Sequence, residues 1–143
     1  GGGDLKGSGP RAARALADAG EQVTLIEGPL CRGAAPADSR IAYLKDPPDL
    51  PMRMAACAWA VTNGGVSMTE MLCLGKAVHV IAQHGDEEKL AEHIFGRGGL
   101  LGVGFETLSE SIKNDKSSAA MAALTLIDGK GVERIAAAIE GLQ

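Results

Sequence analysis

The stretch that decides the fold runs from residue 59 to residue 82: Trp59-Ala60-Val61-Thr62-Asn63-Gly64-Gly65-Val66-Ser67-Met68-Thr69-Glu70-Met71-Leu72-Cys73-Leu74-Gly75-Lys76-Ala77-Val78-His79-Val80-Ile81-Ala82. Two short apolar runs, Trp59 to Thr62 and Ala77 to Ala82, flank a segment that opens on paired glycines and closes on Gly75. The second run is apolar apart from His79, as expected of a strand buried on both faces. Between the runs, Ser67 to Leu74 reads as a helix ended by Gly75. Buried strand, helix and buried strand in so short a span form a unit whose strands run parallel.

The same alternation extends in both directions. Upstream, Pro10 suits a first helical position, Arg11 to Ala19 is alanine-rich, and Gly20 can end the helix. A strand is expected at Gln22 to Ile26, a loop with a helical turn at Leu30 to Ser39, and a second strand at Ile41 to Leu44. The turn Asp46-Pro47-Pro48-Asp49 leads into a helix from Leu50 to Cys57. Downstream come a helix from Asp86 to Phe95, a strand from Leu100 to Val103 and a helix from about Thr107 to Lys113. The tail from Ala119 to Leu142 is helical and interrupted at Gly129-Lys130-Gly131, with Val132, Ile135, Ala136, Ile139 and Leu142 on one face. The expected fold is therefore α/β, a Rossmann-like parallel sheet flanked by helices in a single domain. One strand is owed: the helix behind Gly1 to Gly9 should follow a strand, and none stands before it. The expectation is a domain fragment whose first strand lies upstream.

Composition narrows the partners. With aromatics at 3% against 45% hydrophobic residues, the core must be built from Ala, Val, Ile, Leu and Met. The net charge of -4, with no basic run, argues against nucleic acid, which needs clustered Lys and Arg. Cys31, Cys57 and Cys73 are too few and too scattered for a disulfide framework or a zinc site, and read as reduced thiols in a cytosolic protein. The longest apolar run, Met54 to Val61, is eight residues and cannot span a bilayer. His79, His84 and His93 lack metal-ligand spacing, so neither a metal nor a cofactor is expected. His79 reads as a core residue with one hydrogen-bond partner, His93 as a helix-surface residue, and Trp59 as packing.

In a parallel sheet ligands sit at the carboxyl edge, where strands hand over to helices. Three loops there could carry chemistry. In the first, Asn63, Gly64 and Gly65 let a ligand approach the backbone, and the following helix aims its free N–H groups at it. Ser67 can cap that helix, and Glu70, one turn in, can reach the two hydroxyls of a ribose. The competing reading is a tight turn followed by a capping box, Ser67-x-x-Glu70. The second loop, Gly1-Gly2-Gly3-Asp4-Leu5-Lys6-Gly7-Ser8-Gly9, is glycine-rich like a phosphate loop, but fits neither a Walker A nor a dinucleotide fingerprint. Its competing reading is a cloning remnant. The third is Gln83-His84-Gly85-Asp86, whose polar groups could meet a sugar or a diphosphate, or form an ordinary loop with Asp86 as helix cap.

Taken together, these loops resemble the C-terminal domain of GT-B nucleotide-sugar enzymes. The likeness is to the peptidoglycan N-acetylglucosaminyltransferase and, more closely, to the UDP-sugar hydrolase of pseudaminic acid synthesis with its spore-coat polysaccharide relatives. The residues carrying it are Trp59 to Thr62, Gly64-Gly65, Glu70, Gly75, Val78 to Ile81 and Gln83, with Gly2, Gly3 and Asp4 matching the opening loop. Asp128 to Ile135 resembles the last helix of the same relatives. Val66 between Gly65 and Ser67, and the acidic run Asp86-Glu87-Glu88, depart from the pattern. The resemblance implies that backbone at Gly3 and Gly64-Gly65 holds a UDP-sugar diphosphate and that Glu70 holds the ribose. The loop after Leu44 would meet the uracil, and Gln83 with His84 would lie near the sugar. It further implies hydrolysis or transfer at the anomeric carbon, with the catalytic base on an N-terminal domain of the same protein. Binding without turnover is then expected of this chain alone. A nucleotide-sugar epimerase of the same architecture and a non-catalytic interaction domain stand as alternatives.

Overall fold

The computed structural model describes residues 3, 4, 6–31 and 35–142. Gly2, one of the expected ligand contacts, lies outside them, as does part of the loop expected at Leu30 to Ser39. The described chain is an α/β fold of parallel strands flanked by helices, the Rossmann-like arrangement that the alternation implies. Helix α1 spans Ser8–Asp18, followed by strands β1 (Val23–Glu27) and β2 (Ile41–Lys45) and helix α2 (Leu50–Ala56). Strand β3 (Trp59–Thr62), α3 (Val66–Cys73), β4 (Ala77–Val80), α4 (Gly85–Phe95) and the short β5 (Gly102–Val103) come next. A 3-10 turn at Phe105–Thr107 leads into α5 (Leu108–Lys113), α6 (Lys116–Leu126) and α7 (Gly131–Glu140).

The strands are divided between two small sheets. β1 pairs with β2 in one, and β4 lies between β3 and β5 in the other, all in parallel register. β4 is the centre of the larger sheet, and all four of its residues are buried. Val78 and Val80 pack with Met68, Met71 and Leu72 of α3, Ala91 and Ile94 of α4, and Ala123 of α6. Long flexible Met and Leu side chains fill that space in place of aromatic rings. The smaller sheet is sealed by α1, whose Ala13 and Ala17 lie on Val23, Leu25 and Ile41. Alanines let helix and strand approach closely.

The helix ends obey the glycine punctuation. α3 closes with Gly75 at φ +66°, its N–H bonded to the Leu72 carbonyl, while Lys76 N–H reaches the Met71 carbonyl. That crossed pair satisfies two orphan carbonyls and needs a left-handed residue at the turn. The start of α3 differs from expectation. The backbone breaks at Gly65, so Val66 is already helical and Ser67 is the second residue inside the helix rather than its cap. Likewise α4 starts at Gly85 behind His84, so Asp86 lies within its first turn.

Two expectations about aromatic and imidazole rings meet the structure directly. Trp59 packs with Ala77, Leu101 and Ala119, with the Lys116 ammonium 5.0 Å from its ring. His79 is a core residue, 0 % exposed, but has two partners rather than one: Nδ1 lies 2.8 Å from the Ser111 hydroxyl and Nε2 2.9 Å from the Gly104 carbonyl. The residues of α7 are nowhere buried, so the apolar face of Val132, Ile135, Ile139 and Leu142 is open. Among the described residues no helix is long and apolar enough to cross a membrane.

Candidate functional site

The carboxyl ends of the strands are where side chains from different loops converge. α1 begins without a side chain at its N-cap, Gly7, but Asp4 takes that role from outside the helix. Its carboxylate accepts from Ser8 N–H at 2.9 Å and from Gly9 N–H at 2.7 Å. A carboxylate there meets both the orphan amides and the positive end of the helix dipole. Immediately beside it, Lys6 N–H donates to Gln83 Oε1 at 3.2 Å, and Lys6 Nζ donates to the Ala82 carbonyl at 3.3 Å. The opening loop is thus tied to the loop that follows β4.

Gln83 is buried, and its own N–H donates to Glu87 Oε2 at 2.8 Å. Glu87 in turn lies against the paired glycines. A Cβ on Gly64 would stand 2.6 Å from the Glu87 carbonyl oxygen, and one on Gly65 would stand 3.3 Å from Glu87 Oε1. Gly64 is therefore a packing glycine as well as a turn residue: only a residue without a side chain lets the loop after β3 touch the first turn of α4. Through Lys6, Gln83 and Glu87 the three loops singled out in the sequence become neighbours.

The individual residues fall into two groups. Asp4, Gly64, Gly65 and Gln83 belong to this contiguous cluster, with Gly3 and Asn63 adjoining them along the chain. Glu70 is exposed on α3 and His84 is exposed at the start of α4. Ser67 is half-buried in the first turn of α3. Leu44 is half-buried near the end of β2 in the other sheet, and the loop after it bends back at Asp46 (φ +46°), whose N–H is taken by the Glu27 carbonyl at 2.8 Å.

Next to the cluster a crevice of about 290 Å³ opens between the first turn of α1 and the ends of β4 and β5. Lys6, Ser8 and Arg11 line it together with Ile81, Ala82, Glu88, Gly104, Phe105 and Glu106. The Arg11 guanidinium stacks 3.8 Å from the centre of the Phe105 ring, which holds the cation in place over an apolar wall. Two cations, Lys6 and Arg11, and two carboxylates, Glu88 and Glu106, thus share its lining. None of these lining residues stands among the contacts expected from the sequence. Phe105 carried a faint signal, being one of two phenylalanines in an aromatic-poor chain. Arg11 carried a second, as the basic residue behind the glycine-rich opening.

His79 underlies this crevice. A carbonyl only accepts, so Nε2 carries the proton given to Gly104, and Nδ1 accepts from the Ser111 hydroxyl. Burial pushes its pKa down, against the smaller raising effects of the Gly104 carbonyl and the Glu106 charge. With both nitrogens engaged in the core, the imidazole positions Gly104 and is not a proton carrier for a ligand. The Cys57 thiol is pushed up by burial and donates to the Met54 carbonyl, so it is no ready nucleophile. All three cysteines are free. Among the described residues no group of three or more His, Cys, Asp and Glu could hold a metal ion. What the arrangement can do chemically is bind: it offers two cations, two carboxylates and an apolar wall. Comparison with protein-family models, curated proteins and solved structures finds no match to this chain.

Proposed function

We propose that this chain is the donor-binding domain of a nucleotide-sugar enzyme of GT-B architecture, a UDP-sugar hydrolase or glycosyltransferase serving surface polysaccharide or nonulosonic-acid synthesis. The observation that carries the reading is the crevice at the carboxyl edge, where Lys6 and Arg11 stand beside the first turn of α1. A parallel α/β sheet presents its ligands at that edge, and a pyrophosphate is a ligand that the two cations suit. Its volume lies at the lower end for small-molecule sites, room for a diphosphate or a sugar ring with the nucleoside extending outward.

In this reading the domain works by electrostatics. The cations Lys6 and Arg11 stabilise the nucleotide diphosphate as it leaves the anomeric carbon, and positioning fixes the attacked bond. The base that activates water or an acceptor belongs to an N-terminal partner domain, so the chain alone binds without turnover. Calorimetric titration with UDP and UDP-N-acetylglucosamine tests this, and absence of heat at millimolar ligand rejects it.

One observation favours a second reading. The open apolar face of α7, with Val132 at 77 % and Leu142 at 87 % exposure, suits a domain whose task is to meet another protein surface. A chain that ignores nucleotides but self-associates or captures its partner through α7 would be that interaction domain.

A further inference from the structure

We propose that the space between β1 and β3 is a strand slot, filled by an apolar extended segment that leads into the loop at Gly3 and completes one continuous parallel sheet. β1 pairs with β2 alone, and β3 pairs with β4 alone, so each strand turns one unpaired edge away from its own sheet. Both edges lie under the same helix. Ala13 and Ala17 of α1 pack on Val23 and Leu25 of β1, while Ala12 and Leu16 pack in a cluster with Ile81 and with Val61 of β3. A helix with its side chains is about 10–12 Å across, and strands in a sheet lie about 4.8 Å apart. Two strands spanned by one helix, yet not bonded to each other, leave room for about one strand between them.

Two independent features of β3 agree. Its residues are apolar, Trp59-Ala60-Val61 before Thr62, yet all four are only half-buried, whereas the paired β4 is buried throughout. Thr62 Oγ1, at the end of the strand, is the single buried side-chain oxygen or nitrogen among the described residues that has no hydrogen-bond partner. A buried orphan hydroxyl costs about 1–3 kcal/mol, and a backbone passing alongside would supply what it lacks. Open strand edges are a template for a further strand. The occupant that suits the slot is a segment entering α1 through the short glycine loop, since with β1 following it would make a strand–helix–strand unit. Its strand must therefore run parallel to β1 and be apolar on both faces.

The test appends the strand Val-Ile-Val-Val-Ile before Gly1 and follows amide hydrogen exchange against the chain as it stands. A control carries Val-Ile-Pro-Val-Ile, since proline removes a donor from the middle of the ladder. In the unextended chain, amides of Val23–Glu27 and Trp59–Thr62 on the open edges should exchange at least about tenfold faster than those of β4. The appended strand should slow both sets by about tenfold, and the proline version should not. The slot is refuted if β1 and β3 are already as protected as β4 in the unextended chain, whether by a second copy or by closure of one strand on the other. It is equally refuted if the appended strand protects neither edge.

Discussion

His79 and Gly104 lie 25 residues apart in sequence, yet the imidazole Nε2 is 2.9 Å from the Gly104 carbonyl, so a fully buried ring holds one of the residues that line the crevice. The other nitrogen is engaged by Ser111 at 2.8 Å, which makes the pair a bracket between the central strand and α5. Substitution to Phe would keep the volume, orphan the Ser111 hydroxyl and leave the Gly104 carbonyl only the 3.4 Å contact from the Thr107 hydroxyl, at about 1–3 kcal/mol each. His79→Phe is expected to lower stability by about 2–4 kcal/mol, read from urea unfolding midpoints.

The same histidine makes stability pH-dependent. Burial depresses its folded pKa below the ordinary value of 6.5. The unfolded chain therefore binds more protons in the window just below pH 6.5. The stabilisation is fully present above that pH and is lost as pH falls toward the depressed value, with a slope of up to about 1.4 kcal/mol per pH unit. Unfolding curves between pH 7.5 and pH 5 should show this decline, and His79→Phe should flatten it. An unchanged slope in the variant would assign the effect elsewhere.

Asp4 is expected to matter through α1 rather than through a ligand. Asp4→Ala leaves Ser8 N–H and Gly9 N–H without their acceptor and should cost about 1–2 kcal/mol. Asp4→Asn, which keeps one acceptor, should recover part of the loss in thermal unfolding.

Gly64 and Gly65 should respond differently to the same change. Gly64→Ala drives a methyl against the Glu87 backbone at 2.6 Å, an overpacking that costs about 1–3 kcal/mol. Gly65→Ala meets only the tip of the Glu87 side chain at 3.3 Å, which can turn aside, and should cost less than about 1 kcal/mol. Equal stabilities for the two variants would contradict the contact between the loop after β3 and α4.

For ligand binding, Lys6→Ala and Arg11→Ala should each weaken UDP affinity by about tenfold, with the loss shrinking as salt rises. Glu70→Ala, on the exposed side of α3, separates ribose contact from none: a fall in affinity at unchanged stability supports the contact. Isothermal titration at low and high salt reads all three.

Much of the fold was legible because its causes are local. Apolar runs such as Val78 to Ile81 mark strands, and Gly20 and Gly75 mark helix ends, since each relies on backbone sterics within a few residues. The break at Gly129-Lys130-Gly131 and the one-sided face of α7 were legible for the same reason. The start of α3 was not, because Ser67 and Gly65 are both competent to begin a helix and the packing of Gly64 on Glu87 favours the earlier break. The crevice was the least legible part. Lys6 meets Gln83 across 77 residues, and Arg11 meets Phe105 across a still longer stretch.

The sequence by itself determined the order of strands and helices, their parallel sense and the loops at which ligands would be sought. Only the tertiary structure decided that the strands divide into two sheets, that Asp4 and Glu87 fill space beside the glycines, and that Lys6 and Arg11 are the cations facing the crevice. The reason is physical. Local periodicity reports which side of an element is apolar, whereas the partner it meets is set by how whole elements pack, and that depends on residues far away in the chain.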